Sequence, residues 1–169
     1  ADKNRFLVAF GQIAKLGDVL EELHIQNRLL AEQFKLIGET FTKLRVLHLE
    51  NDDLTQDTRD FVRFQDGALH DLVKSGNLPK TLTELRLQNV PTITSFGFSE
   101  LSVLSRLNKL HVHKTAETIT LDDVVKTLSC LTSLRTVELS DVGNLEVDDC
   151  EKVQKALPFI SDLTIYLEE

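Results

Sequence analysis

A chain of 169 residues is one domain's worth, long enough to bury a continuous core without disulfides or metal. Nineteen Lys and Arg against 27 Asp and Glu give a formal charge of -8, which disfavours nonspecific attraction to nucleic acid or anionic lipid and points to a partner that is basic or neutral at the contact. The longest unbroken apolar run, residues 6–10, falls far short of the roughly 18 residues of a membrane span, so no transmembrane segment is expected.

Thirty residues are leucine, Met and Trp are absent and Tyr occurs once, a skew expected of a leucine-built repeat. In chain order, leucine or an equivalent recurs in the frame L-x-x-L-x-L at Leu20, Leu23, Ile25; Leu44, Leu47, Leu49; Leu82, Leu85, Leu87; Leu107, Leu110, Val112; Leu134, Val137, Leu139; and Ile160, Leu163, Ile165. The frames start 24, 38, 25, 27 and 26 residues apart. Their last two apolar positions alternate with polar ones, the period of a strand with one buried side. Between frames the apolar spacing widens to three and four, as in Val124, Val125, Leu128 and Leu131 or Cys150, Val153 and Leu157, which suits a returning helix. The 38-residue step carries a surplus expected at residues 55–80 as an enlarged helical coil, with Phe61, Phe64, Leu69, Leu72 and Val73 on it and Gly76-Asn77-Leu78-Pro79 closing it. Phe61 and Phe64 are apolar anchors if that coil protrudes; the other phenylalanines, Phe96 and Phe98 among them, are expected in the core.

Parallel strands need crossovers, and stacked coils bury leucines that no single coil could bury. The expected architecture is α/β: one domain over residues 1–169, a right-handed solenoid with about six short parallel strands on its concave face and helices on its convex face. The acidic pairs Asp52-Asp53, Asp122-Asp123 and Asp148-Asp149 precede or open helices and are expected to cap them, Thr120 and Asp123 having the spacing of a capping box. Cys130 and Cys150 fall at apolar helix positions and are expected as reduced, buried small hydrophobes. With no Asn-x-Ser/Thr acceptor and no signal-peptide order at the N-terminus, an intracellular address, cytoplasmic or nuclear, is expected. A start at Ala1-Asp2-Lys3 and an end inside a strand pattern suit an excised or processed part of a longer chain.

The repeat resembles the leucine-rich repeat family over residues 20–167, a resemblance that implies a partial coil over Asn4 to Lys15. The stretch from Leu82 to Thr94 is similar to the cysteine-containing subtype, L-x-x-L-x-L-x-x-C-x-x-I-T, with Val90 in the cysteine place; elsewhere that place holds Arg28, Asp52, Thr115 and Val142. The subtype implies kinship with F-box-type substrate receptors.

Residues alternating with the buried leucines must project from the other side of the sheet. One column is His24, His48, Arg86, His111, Glu138 and Thr164; the next is Gln26, Glu50, Gln88, His113, Ser140 and Tyr166. The partner-binding candidates are His24, His48, Glu50, Arg86, Gln88, His111, His113, Glu138 and Tyr166. The bland alternative for any one of them is a solvated strand face. Histidine clustering invites a metal or a pH switch, but no four-ligand set has a recognisable spacing, so neither metal nor cofactor is expected. Imidazole titration near 6.5 makes altered partner affinity between about pH 7.5 and 5.5 the simpler expectation. With no phosphate loop, zinc-protease or nucleophile-elbow motif, no catalytic residue is nominated. The expected function is non-catalytic protein binding through the concave face, as a ubiquitin-ligase substrate receptor, adaptor or scaffold. The alternatives are the ligand-sensing or autoinhibitory repeats of an intracellular immune receptor, or a non-catalytic enzyme regulator.

Overall fold

The structure, a computed structural model, describes residues 11–26, 31–51, 64–74 and 76–168. Six strands, β1 (Glu22–Gln26), β2 (Val46–Glu50), β3 (Glu84–Gln88), β4 (Lys109–His113), β5 (Thr136–Ser140) and β6 (Asp162–Tyr166), form one parallel sheet in the order of the chain. Every strand coincides with one of the six leucine frames. Register follows: Leu23, Leu47, Leu85, Leu110, Val137 and Leu163 form one rung, and Ile25, Leu49, Leu87, Val112, Leu139 and Ile165 the next.

Between the strands run α1 (Ala31–Thr40), α2 (Asp66–Lys74), α3 (Leu78–Thr81), α4 (Ser95–Glu100), a 3-10 turn (Leu101–Val103), α5 (Leu121–Ser129) and α6 (Asp149–Ala156). These return segments pack side by side, α1 on α2, α2 on α4, α4 on α5 and α5 on α6, and share one apolar core with the strand rungs. Each fully buried leucine of that core contributes about 1.5–3 kcal/mol by leaving water.

The same junction recurs at the start of strands β2 to β6. Two consecutive backbone N–H groups donate to one carbonyl of the preceding coil: Arg45 and Val46 to Glu21, Thr83 and Glu84 to Arg45, Asn108 and Lys109 to Thr83, Arg135 and Thr136 to Asn108, and Ser161 and Asp162 to Arg135, all at 2.7–3.1 Å. Backbone donors at the sheet margin are thereby paired, and successive coils are locked in step. Just upstream, Leu107, Leu134 and Ile160 donate their N–H groups to the carbonyls of Leu104, Leu131 and Leu157. All six side chains are buried.

At the far ends of the strands, Asn89, Lys114 and Asp141 occupy equivalent places and all have positive φ, 56°, 57° and 49°. That left-handed step costs a non-glycine residue energy and turns the chain off the sheet. The next residue then drops into the core: Val90, Thr115 and Val142 are buried. Thr115 uses its hydroxyl there, accepting from the Gly143 N–H at 2.8 Å. Gly143 has φ +59° and an added Cβ would lie 2.0 Å from the Ile119 carbonyl oxygen, so no side chain fits.

The described part of the 55–80 coil is packed in, not raised. Phe64 is buried with its ring centroid 4.8 Å from that of Phe34, so it offers no surface anchor; Phe61 lies outside the described residues. Leu69, Leu72 and Val73 of α2 are in the core. Asp66 accepts from the Thr94 N–H at 2.9 Å and its hydroxyl at 2.5 Å, and buried Glu100 lies 3.3 Å from His70 and 3.2 Å from Lys74, which ties α2 to α4. α2 ends at Lys74, just ahead of Gly76-Asn77-Leu78-Pro79 as expected, and the same stretch then opens α3, with Pro79 in the first turn, where a missing N–H costs nothing.

Three further expectations are corrected. Cys130 is exposed: it is the C-cap of α5, and its Sγ approaches the Lys126 carbonyl at 3.6 Å. Cys150 is only half-buried. Phe96 is 69% exposed while Phe98 is buried, since residues two apart on a helix face opposite sides. Among the acidic pairs, Thr120 and Asp123 form the full reciprocal capping box, whereas Asp148 at the N-cap of α6 makes no side-chain cap. Asp149 instead accepts from the Glu146 N–H at 3.0 Å and pairs with Lys152 at 2.7 Å. Asp52 and Asp53 lie outside the described residues, as does most of the expected helix at 4–15, of which 11–14 are helical.

Candidate functional site: the open face of the sheet

Period-two alternation leaves one face of the sheet without a covering layer among the described residues. Across it His24, His48, Arg86, His111, Glu138 and Thr164 stand next to one another in register. In the second column Gln26 pairs with Glu50, Glu50 with Gln88, His113 with Ser140 and Ser140 with Tyr166; the β3–β4 pairing ends one step earlier, at Leu87 and Val112. All nine nominated residues thus lie on this face, but they fall into three groups with different chemistry.

Over β1 to β3 the face forms an open depression of about 520 Å³ walled by His24, Gln26, His48, Glu50, Arg86 and Gln88. The His24 and His48 rings lie 4.1 Å apart between centroids, tilted by 30°. Nε2 of His48 is 2.9 Å from Oε1 of Glu84, whose other oxygen is 3.9 Å from Lys109 Nζ. Gln26 donates to Glu50 at 2.8 Å. Arg86 is exposed, and its guanidinium makes no hydrogen bond or ion pair with a described residue. Its charge reaches Glu138 only at longer range.

Over β4 to β6 the central carboxylate is paired within the face, while the Ser140 hydroxyl beside it is buried without an aligned hydrogen-bond partner among the described residues. Glu138 accepts from the Tyr166 hydroxyl at 2.7 Å and lies 3.2 Å from His111 Nδ1, a close contact without hydrogen-bond alignment. Burial by itself would raise the Glu138 pKa; the Tyr166 hydroxyl, His111 and Arg86 together outweigh it and hold the carboxyl below its ordinary value. The same hydrogen bond to an ionised carboxylate, with burial, raises the Tyr166 phenol.

The third group lies where β4, β5 and β6 end. His113 Nε2 is 3.3 Å from Glu168 Oε2 and 3.8 Å from Asp141 Oδ2, and the three potential ligand atoms lie within 4.8 Å of one another. Both ring nitrogens of His113 are buried without an aligned hydrogen-bond partner. Asp141 Oδ1 is held by the Glu168 N–H at 3.1 Å.

Sequence reasoning placed His113 on the face, and Glu84 in the flanking column, but missed Asp141 and Glu168. Asp141 and Glu168 are 28 and 27 residues further along, one coil each, and occupy the seventh, eighth and ninth places of consecutive frames together with His113. A search for ligands along a diagonal of the frame, instead of along a column, would have found them. A second open depression, about 530 Å³, lies at the opposite ends of the strands among Arg45, Thr83, Glu84, Arg106, Asn108 and Lys109. No helix among the described residues is long and apolar enough to cross a membrane. Comparison of the sequence with protein-family models and with curated proteins finds no match.

Proposed function

We propose that this chain is an intracellular, non-catalytic protein-binding module: a right-handed solenoid of leucine-rich-repeat type whose concave strand face docks another protein. The observation that carries the reading is the depression over β1 to β3, where a guanidinium with no hydrogen-bond or ion-pair partner among the described residues, two closely packed imidazoles and side-chain amides converge on one surface. Exposed donors fixed on a rigid sheet suit recognition, since binding there orders few side chains. A carboxylate or polar side chain of the partner fits beside Arg86, while the overall charge of -8 steers a partner that is basic or neutral elsewhere. Within this class a substrate-receptor or adaptor role follows from the resemblance of the segment at Leu82 to Thr94.

A photo-crosslinking amino acid placed at Gln88 on the open face, and separately at exposed Lys155 on α6, tests the reading. The expected result is a discrete protein adduct from the Gln88 position that disappears when Arg86→Ala and His48→Ala are added, with the circular dichroism spectrum unchanged. Adducts from the Lys155 position alone would move the binding surface to the helices.

A further inference from the structure

We propose that His113, Asp141 and Glu168 form a three-ligand site for a divalent transition-metal ion of the zinc class. The site lies at the C-terminal edge of the sheet and is separate from the depression over β1 to β3. Three independent features converge on it.

The first is ligand spacing. Metal–ligand bonds of about 2.0–2.2 Å in a tetrahedral arrangement put neighbouring ligand atoms about 3.4 Å apart. His113 Nε2 stands 3.3 Å from Glu168 Oε2 and 3.8 Å from Asp141 Oδ2. All three atoms lie within 4.8 Å of one another, so an inward movement of the two carboxylates closes the set. The second is the state of the imidazole: both nitrogens of His113 are buried and neither has an aligned hydrogen bond. Leaving a buried polar nitrogen unpaired costs about 1–3 kcal/mol. A metal ion on Nε2 removes that deficit on one side of the ring.

The third is preorganisation. Asp141 sits in the left-handed conformation at φ 49°, and the Glu168 N–H fixes its Oδ1, so Oδ2 is the oxygen presented to His113. Two carboxylates facing one imidazole also carry the two negative charges that neutralise a divalent cation. One imidazole with two carboxylates is a borderline-hard N/O set. It favours zinc and its first-row neighbours over calcium, which takes six or more oxygens, and over copper(I), which takes soft sulfur. Three protein ligands leave a fourth position for water. Nδ1 of His113 makes no hydrogen bond with a described residue, so the site lacks the buttress that tightens structural zinc sites and binds more weakly than they do.

Isothermal titration of the 169-residue protein with ZnCl2 in a non-chelating buffer at neutral pH tests the proposal, with Co(II) absorption as a report of coordination geometry. One zinc per chain is expected, together with a rise in Tm. His113→Gln should abolish the binding, and Asp141→Asn and Glu168→Gln should each weaken it at least tenfold. Asn tolerates the left-handed backbone at position 141, so that variant removes the charge and keeps the turn. A His24→Asn, His48→Asn variant serves as the control and should bind as the parent does. Absence of stoichiometric binding overturns the proposal. So does binding that survives His113→Gln in a folded protein, or binding lost only with His24 and His48.

Discussion

The two halves of the open face belong to one sheet and share its leucine rungs, yet the central charged groups of each, Arg86 and Glu138, have different fates. Over β1 to β3, Arg86 finds no carboxylate at hydrogen-bond distance among the described residues, and the face is left hollow. Over β4 to β6, Glu138 and Tyr166 sit one strand apart and close on each other, with His111 beside them. A repeat therefore fixes where side chains project but not whether they are free. Whether a column binds a partner or binds itself depends on which charges happen to be neighbours across about 4.8 Å.

The largest effects should not distinguish the halves at all. Leu47→Ala under the depression and Leu110→Ala under the paired half each remove a fully buried leucine, and each should cost about 2–5 kcal/mol in urea unfolding. A cost below about 1 kcal/mol at either position would break the premise that one core supports both.

Glu138→Ala should then separate them. It strips the acceptor from the Tyr166 hydroxyl and should cost about 1–2 kcal/mol at pH 7, a figure held down because the Glu138 side chain is 39% exposed and partly screened. The Glu138 pKa is lowered in the folded protein, so its contribution is complete above the ordinary glutamate value and is lost as pH falls through the folded value. The stability gap between wild type and variant should accordingly narrow in acid; a gap that stays constant down to pH 3 would show that packing, not the ionised carboxylate, matters.

Thr120→Ala, at the N-cap of α5 between β4 and β5, should cost about 1 kcal/mol by removing that cap, readable as a lower urea midpoint. Hydrogen bonds from the Thr120 backbone and side chain lower the Asp123 pKa, so this contribution too is present at neutral pH and lost as pH falls below the ordinary aspartate range. Smallest of all, Arg86→Ala should change stability by less than about 0.5 kcal/mol while weakening the crosslink at Gln88 that the double variant with His48→Ala abolishes. A larger loss of stability would mean that Arg86 serves the fold and that the halves differ less than their geometry indicates.

Much of this was legible in the chain. The six frames gave the six strands and their order, because apolar alternation must bury one side of each strand and a common spacing must bring equal positions together. The capping box at Thr120 was legible for a similar reason: it is a contact between residues three apart. Less local features were read wrongly. The helix-like spacing around Cys130 suggested burial, but the helix ends there and the thiol turns out. Phe64 looked like a protruding anchor, yet it packs on Phe34 across a sequence distance no local pattern reports.

What the sequence determined by itself is periodic: strand positions, register, the identity of the buried columns and the set of residues on the open face. The tertiary structure alone decided which of those residues pair, which stay open, and that His113, Asp141 and Glu168 meet. Periodicity is carried by each coil separately, whereas pairing depends on distances between coils, on how the chain turns after each strand, and on which ends of long side chains reach one another.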